Sequence, residues 1–334
     1  MCAVGAIGGA GMARLVIGRG SRAWVRMGTV VLCLALVPTA IATNLAELVL
    51  AFLALGASAG FIDVLENAQG AELERVARRP MINGFHGFWS LGAVVGSVAA
   101  GAAAYLGVPT LEHFVLVAVL VAGISAPLLR SLPNTRGGAE PAHEETTRSL
   151  LTLSAALVAA LGFSAIIVEG GGADWSPLYL REYGHASQGL AAVGFAGFSV
   201  AMMTVRFRAD RLTARTSATS VARLGAFLSA IGFGIAIALP AAPSAIFGFV
   251  LVGVGVAVMV PLAFSAGANL GRSGTALSLV TSAAYAGSVA GPGLIGNVAD
   301  HVGLRLALGI PLAASLLVAM FASGLRAGQS VEPI

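Results

Sequence analysis

Long apolar runs separated by short polar turns occupy the sequence from end to end. Each run has about 17–26 residues, the length that an α-helix needs to cross the hydrocarbon core of a bilayer. Strands of a membrane barrel would instead give short segments of alternating polarity. The pattern predicts an all-α polytopic membrane protein with eleven segments. The runs fall at 1–18, 25–43, 46–68, 81–105, 111–129, 149–169, 187–205, 219–240, 244–266, 274–299 and 303–325.

Composition excludes most other classes of protein. Of the 334 residues, 57% are hydrophobic and 10% are charged, whereas about a quarter of the residues of a soluble domain are charged. Metalloprotease and P-loop motifs are absent, and no G-x-S-x-G pattern comes with the catalytic partners that it needs. Cys2 and Cys33 lie in apolar runs without metal-ligand spacing. We therefore expect no enzyme, no bound metal and no cofactor.

The arginines predict the orientation of the chain. All 19 basic residues are arginine, and the net charge is +4. If the first turn is cytoplasmic and the segments alternate, only Arg181 and Arg305 lie outside. Positive charge concentrates on the cytoplasmic side of membrane proteins. The pattern predicts a plasma (inner) membrane protein with a cytoplasmic C-terminus, and it explains the basic charge without a nucleic-acid partner.

A polar stretch and a glycine repeat divide the chain. Residues 131–148 are rich in proline, glycine and charge, as in a flexible cytoplasmic linker. Three glycines of the fourth run recur in the tenth run at a shift of 195 positions, which indicates a parallel repeat. The matching pairs are Gly92 with Gly287, Gly96 with Gly291, and Gly101 with Gly296.

The repeat predicts two helical halves of unequal completeness. The expected units are an N-terminal half at 1–130, the linker at 131–148, a six-helix half at 149–326 and a cytoplasmic tail at 327–334. Shifted by the repeat, Met1 falls inside the run at 187–205. The first half is therefore expected to lack its first helix and part of its second, roughly fifty residues by the lengths of such helices.

Acidic residues inside the third run are candidate functional groups, because a charge in a bilayer is costly. Gly56, Gly60, Asp63 and Asn67 form one helical stripe that starts with small residues and ends with polar ones. Asp63 is either functional or a structural acid bonded to Asn67 or the next helix. Glu66, nearer the inner surface, is either part of the pathway or an ion-pair partner of Arg75 or Arg78.

His86 is expected at the depth of Asp63 on the neighbouring helix. His86, Ser90 and Ser97 share one helical face. A histidine beside a carboxylate can relay protons. Alternatively, His86 is neutral and bonded to Asn67 or to a carbonyl group.

A second group of candidates lies at the ends and bends of later helices. Three glycines after Glu169 predict that its helix ends there, as at the mouth of a transporter cavity. Asp174 and Trp175 begin an outer amphipathic stretch, with Trp175 as an interfacial anchor. Gly291 and Pro292 predict a bend, which suits either rocking or a static kink.

An inner turn carries the strongest family signal. Arg206, Asp210, Arg211 and Arg215 resemble the G-x-x-x-D-R-x-x-x-R signature of the major facilitator superfamily, with Arg206 in the place of the glycine. The first copy, at 18–22, keeps arginines but has no acid. The resemblance implies that these turns join the halves on the inner side, which gives Arg206, Asp210 and Arg211 a gating role.

Other motifs resemble the fucose-permease branch of that superfamily and its YbjJ-like inner-membrane relatives. They are GFIDVLENAQ at 60–69, RPM at 79–81, FHGFWSLG at 85–92, EG at 169–170, DW at 174–175, YL at 179–180 and the stretch from Tyr285 to Gly296. The resemblance implies that Asp63 faces a central cavity and handles substrate or protons.

These signals together predict a symporter that works by alternating access. We expect a monomer in the lipid bilayer that moves a small polar organic solute, with a sugar as one candidate, and that uses protons as the coupling ion. Asp63, Glu66, Asn67, His86, Ser90 and Glu169 are the predicted pathway residues. The alternative is a truncated membrane component that does not transport and acts, if at all, through partner proteins.

Overall fold

The structure, a computed structural model, describes residues 2–13, 16, 21–132, 153–270 and 275–328, and all regular structure in these ranges is helical. The helices in chain order are α1 (Cys2–Ala13), α2 (Ser21–Ile41), α3 (Leu45–Ala77), α4 (Ile82–Tyr105), α5 (Thr110–Arg130), α6 (Leu153–Ala173), α7 (Ser176–Glu182), α8 (Gln188–Arg215), α9 (Ala218–Ala238), α10 (Ala242–Val256), α11 (Met259–Asn269), α12 (Thr275–Val302), α13 (Leu304–Ala307) and α14 (Gly309–Phe321), followed by a 3₁₀ helix (Ala322–Gly328).

The all-α membrane class is confirmed. Within the described ranges, eight segments are long and apolar enough to cross a bilayer, and α10 with α11 counts as one of them. The exact number of spans stays a prediction. Most of the predicted linker at 131–148, the residues 18–20 of the first signature copy and most of the tail at 327–334 lie outside the described residues.

The longest helix, α3, has a well-defined start and end. Asn44 caps its first turn by accepting a hydrogen bond from the backbone N–H of Glu47, at 3.0 Å, while the Glu47 carboxylate accepts one from the Thr43 N–H, at 2.7 Å. This reciprocal arrangement satisfies amide groups that a helix start leaves free. At the other end, Arg78 adopts a left-handed conformation, with φ 51°. The chain can therefore reverse sharply into α4.

The predicted run at 244–266 is interrupted. Residues Ala257 and Val258 form a turn between α10 and α11. Pro261 lies four positions after Ala257 and has no N–H group, so the Ala257 carbonyl has no helical donor. The break leaves one backbone acceptor in the apolar interior that another part of the protein must satisfy.

The stretch 169–172 lies at the end of α6, as predicted, but the three glycines do not break the helix. The helix continues through Gly170, Gly171 and Gly172 to Ala173. Close packing explains the glycines: a Cβ on Gly171 would lie 2.6 Å from Pro311 Cβ, and one on Gly172 would clash with the Phe198 ring. Contacts with neighbouring helices thus outweigh the weak helix propensity of glycine.

Small residues also bring α9 and α10 together. Any Cβ on Gly225, Gly232, Gly248 or Gly255 would collide with backbone of the facing helix. Such contacts hold helices together in lipid, where water expulsion cannot drive association. By contrast, α5 has no buried residue, and its exposed apolar side chains suit contact with lipid acyl chains.

Among the described residues, the most extensive contacts between early and late helices are those of α4 with α8 and of α1 with α12, and α11 and α12 also contact α3. The turn between α3 and α4 also lies near α11. These contacts bring polar residues that are far apart in sequence into one region between the early helices (α1 to α5) and the late helices (α6 to α14).

Replacing Gly255 by alanine is expected to lower the thermal stability of the detergent-solubilised protein. The new methyl group would clash with the Gly225 carbonyl and with Ser229, and overpacking of this kind costs about 1–3 kcal/mol. Gly234→Ala is the matched control, since the nearest atom to its added Cβ, Leu312 Cδ1, is 4.0 Å away. Equal melting temperatures for the two variants would contradict the close α9–α10 contact.

Candidate functional site

A hydrogen-bonded chain of four side chains connects three helices. Tyr285 of α12 donates to Asp63 Oδ2, at 3.3 Å. Asn67 Nδ2 donates to Asp63 Oδ1, at 2.9 Å, and Asn67 Oδ1 lies 3.2 Å from His86 Nε2. The chain Tyr285–Asp63–Asn67–His86 therefore joins α12 to α3 and α4.

The chemistry of this chain determines which atoms carry protons. An ionised Asp63 only accepts hydrogen bonds, so the Asn67 amide nitrogen faces Asp63 and the amide oxygen faces His86. His86 Nε2 must then donate, which corresponds to a neutral ring protonated on that nitrogen or to the imidazolium. Asn67 lies between the acid and the histidine. This agrees with the predicted hydrogen bonds of Asp63 to Asn67 and of His86 to Asn67.

Glu66 does not form the ion pair with Arg75 or Arg78 that its sequence position suggested. Arg75 pairs with Glu72 instead, at 2.6 Å, and the Glu66 side chain is exposed. The helix explains the difference: nine residues separate Glu66 from Arg75, a rotation of about 900°, so the two lie on opposite faces. Glu66 is on the Asp63 side of α3, three residues further along.

Arg206 lies deep between helices and not at the inner edge where the sequence placed it. It is nine residues before the end of α8 at Arg215, about 13 Å along the axis, and only 1% of it is exposed. Its Nη2 group pairs with Glu169 Oε2 of α6, at 2.9 Å.

The remaining Arg206 donors reach two further elements. Nη1 donates to Ser90 Oγ of α4, at 2.6 Å, and Nε donates to the Ala257 carbonyl, at 3.1 Å. The guanidinium also lies 6.0 Å from the centre of the Trp89 ring, a cation–π distance. Arg206 thus supplies the donor that the break before α11 requires.

Two carboxylates hold four consecutive amide groups at the start of α4. Glu74 Oε1 accepts hydrogen bonds from the backbone N–H groups of Met81 and Ile82, at 2.7 and 2.9 Å. Asp210 accepts from those of Asn83 and Gly84, at 3.1 and 2.8 Å. A helix start favours negative charge because its amide groups are unpaired.

Each carboxylate also makes a further contact. Asp210 Oδ1 accepts from Asn83 Nδ2, at 2.8 Å, and Glu74 Oε2 accepts from Ser265 Oγ of α11, at 2.8 Å. Asp210 therefore joins α8 to α4, and Glu74 joins α3 and the start of α4 to α11. Arg211, the neighbouring signature residue, is exposed.

Sequence reasoning missed Glu74, Ser265 and Asn83 as members of this contact, and it quoted Tyr285 only as part of a motif. The position of Glu74, shortly before Pro80 and a new helix, was a usable signal, because acids are favoured at helix starts. Ser265 and Tyr285 carried no such signal, since their partners are about 190 and 220 residues away in sequence and are brought close only by the tertiary fold.

A cavity of about 130 Å³ lies between the C-terminal end of α6 and the middle of α12. Glu169, Asp174 and Trp175 line it from one side, and Gly291 and Pro292 line it from the other. Burial raises the pKa of the Asp174 carboxyl, and the nearby charge of Glu169 raises that pKa further. The cavity joins predicted pathway, bend and outer-mouth residues in one space.

The described residues contain no group of three side chains able to hold a metal ion. Fold and polar interior define a polytopic helical membrane protein whose charged groups are shared between helices. The defining sequence pattern of the Major Facilitator Superfamily matches residues 1–271. The chain belongs to that superfamily, which makes it a transporter and not an enzyme.

Individual relatives agree with this assignment. An uncharacterized MFS-type transporter of Yersinia pestis is 33% identical over 313 residues, which cover 92% of this chain and 79% of that protein. An uncharacterized transporter of Sinorhizobium fredii is 32% identical over 294 residues, covering 86% and 76%. Among solved structures, a variant of the Escherichia coli fucose:proton symporter superposes with a TM-score of 0.79 at 17% identity, covering 95% of this chain and 88% of the symporter.

Replacing Arg206 by methionine is expected to destabilise the protein by about 3–5 kcal/mol, because Glu169 would remain inside without a counter-charge. Adding Glu169→Gln should restore part of the loss, since the unpaired charge is then gone. Thermal unfolding in detergent would measure both, with Arg208→Met as the control, because Arg208 is exposed two residues away. Equal melting of the single and double variants would contradict a buried ion pair.

Proposed function

We propose that the protein is a proton-coupled secondary transporter that moves a small polar organic solute by alternating access. The predicted halves, 1–130 and 149–326, rock about a central site and expose it to each side of the plasma (inner) membrane in turn. The arginine distribution supports a cytoplasmic location for the C-terminus and for the α3–α4 turn. We expect a monomer to be the working unit.

The single observation that carries this proposal is the chain Tyr285–Asp63–Asn67–His86. It contains an acid and a histidine inside apolar helices, and it bridges helices of both predicted halves. Intramembrane ionisable groups of this kind mark substrate and proton pathways. The ion pair between Arg206 and Glu169 places a second charged group beside the same helices.

The hydrogen-bond roles in this chain support proton coupling. An ionised Asp63 accepts bonds from Tyr285 of α12 and from Asn67 of its own helix. A proton on Asp63 occupies one carboxyl oxygen and weakens these bonds, so α12 is held less firmly to α3. Protonation can therefore bias the relative position of the two predicted halves, and His86 provides a neighbouring site for the proton.

A sugar is the leading candidate for the solute, because the sequence motifs resemble the fucose-permease branch and a fucose:proton symporter shares the fold. The level of identity to that symporter supports the fold alone. Uptake of a panel of labelled sugars and other metabolites at two pH values would identify the solute and its coupling.

Asp63→Asn is expected to abolish accumulation driven by a pH gradient in reconstituted vesicles, because asparagine cannot take up and release the proton. Downhill exchange of the solute should persist. Glu47→Gln, an exposed acid at the start of the same helix, is the control and should accumulate solute normally. Unchanged accumulation by the Asp63 variant would remove this residue from the coupling step.

Asp210→Asn and Ser265→Ala are expected to open the inner side more often. Each change weakens a bond between the predicted halves at the start of α4, and loss of a hydrogen bond to a charged group shifts such an equilibrium by about tenfold. Alkylation of a Ser278→Cys reporter, at a buried position near the inner start of α12, in a background without Cys2 and Cys33, would measure the opening.

The control for this experiment is Arg326→Gln, an exposed change in the 3₁₀ helix that follows α14. Faster alkylation of the reporter in the Asp210 and Ser265 variants, with no change in the control, supports inner-side contacts that close the protein. Equal rates in all three variants would show that these contacts do not govern access.

A further inference from the structure

Arg206 occupies the position at which the superfamily signature has a glycine, and it uses all parts of its guanidinium. Its three donor groups reach three different elements: α4 through Ser90, α6 through Glu169, and the turn before α11 through Ala257. In this chain, the position that is glycine in the signature therefore carries a long cationic side chain that connects three other elements.

The Ser90 hydroxyl can serve Arg206 only as an acceptor. Its own hydrogen is donated to the His86 carbonyl one turn earlier in α4, at 3.0 Å. The oxygen lone pairs then face Arg206 Nη1, at 2.6 Å. Ser90 is 4% exposed, so no bulk water replaces it in this arrangement.

The packing of α4 on α8 brings Ser90 within reach of Arg206. A Cβ on Gly87 would lie 2.9 Å from the Phe207 ring, and Phe88 stacks edge-on against the same ring, with centroids 5.3 Å apart. Asp210 holds the start of α4 one turn further in. The Ser90–Arg206 bond thus exists only while α4 and α8 are together.

The bond to Ser90 affects the cavity between α6 and α12 through Glu169. The Glu169 carboxylate lines that cavity and is held by Arg206 Nη2 on one oxygen, Oε2. If α4 moves away, Arg206 has an unsatisfied donor in the protein interior. An unpaired buried donor is costly, so the guanidinium must shift or rebind.

We propose that Arg206 is a positioning residue for transport: it fixes the Glu169 carboxylate on the cavity wall, and its grip depends on Ser90 of the opposite predicted half. In this arrangement Glu169 accepts an O–H or N–H donor of the solute while the inner side is closed. Opening of the α4–α8 contact releases Arg206 from Ser90. The Glu169 carboxylate that the solute contacts is then held less firmly in its position. This inference rests on the proposed transport function.

The test uses a readout that needs no known solute. Dicyclohexylcarbodiimide, an apolar reagent, modifies membrane carboxyl groups in their protonated form, and peptide mapping by mass spectrometry locates the label. Glu169 of the whole chain in lipid vesicles is expected to label slowly between pH 5 and 8. Ser90→Ala should raise the labelling rate at Glu169 about tenfold, because it removes one bond to the charged guanidinium.

Matched variants separate positioning from folding. Ser58→Ala removes a comparable buried hydroxyl that bonds only to its own helix, and it should leave Glu169 labelling unchanged. Arg206→Lys retains the charge but not the three-way geometry and should label at an intermediate rate. Arg206→Gln should label fastest of the set.

The outcomes decide between the inference and the transport proposal. If Glu169 is labelled at the wild-type rate in Ser90→Ala but faster in Arg206→Gln, the position of Glu169 does not depend on Ser90 of the opposite predicted half. Unchanged labelling in both would overturn the positioning role. For a solute found by the uptake panel, Ser90→Ala should raise KM severalfold with a smaller change in kcat, and unchanged KM contradicts the inference. If no solute is taken up, the transport proposal fails while the labelling result still stands.

Discussion

A charged group inside the apolar part of a membrane protein needs a partner from the protein, and Arg206 imposes this requirement most strongly. Its guanidinium is almost completely buried and cannot lose its proton. It is satisfied because α4, α6 and the turn before α11 each bring one acceptor. The arrangement of four segments around this residue is therefore constrained by electrostatics as well as by packing.

The same rule accounts for the rest of the polar interior. Asp63 is stabilised by Tyr285 from another helix, and the amides at the start of α4 are paired with Glu74 and Asp210. Glycine contacts, as between α9 and α10, allow the helices to approach closely enough for such bonds to form. Polar bonds and small residues have complementary roles: the first specify which helices meet, and the second set how closely.

The all-α membrane class could be predicted from the sequence because the length of an apolar run follows directly from the thickness of a bilayer. Helical periodicity also placed Asp63 and Asn67 on one face, and their hydrogen bond agrees with this. Periodicity gives the direction of a side chain but not its reach or its partners. Arg206 and the glycines after Glu169 were misjudged for that reason, since distant residues such as Ser90, Pro311 and Phe198 determine their surroundings. The ion pair of Glu66 with Arg75 was misjudged for a different reason, because nine residues of helix place the two on opposite faces. The break at Ala257 had a local signal in Pro261, but its partner could come only from the tertiary structure.

The shared cap at the start of α4 has a mechanical consequence. Glu74, at the end of α3, binds the first two amides of the set, and Asp210, from α8, binds the next two. If α8 withdraws, Met81 and Ile82 keep their partner because α3 and α4 are joined by a short turn. The first turn of α4 would then keep two of its four amide partners and stay helical. The two amides released by Asp210 would face the space left by α8, where water can hydrate them. Loss of the α8 contact would therefore leave half of this cap in place.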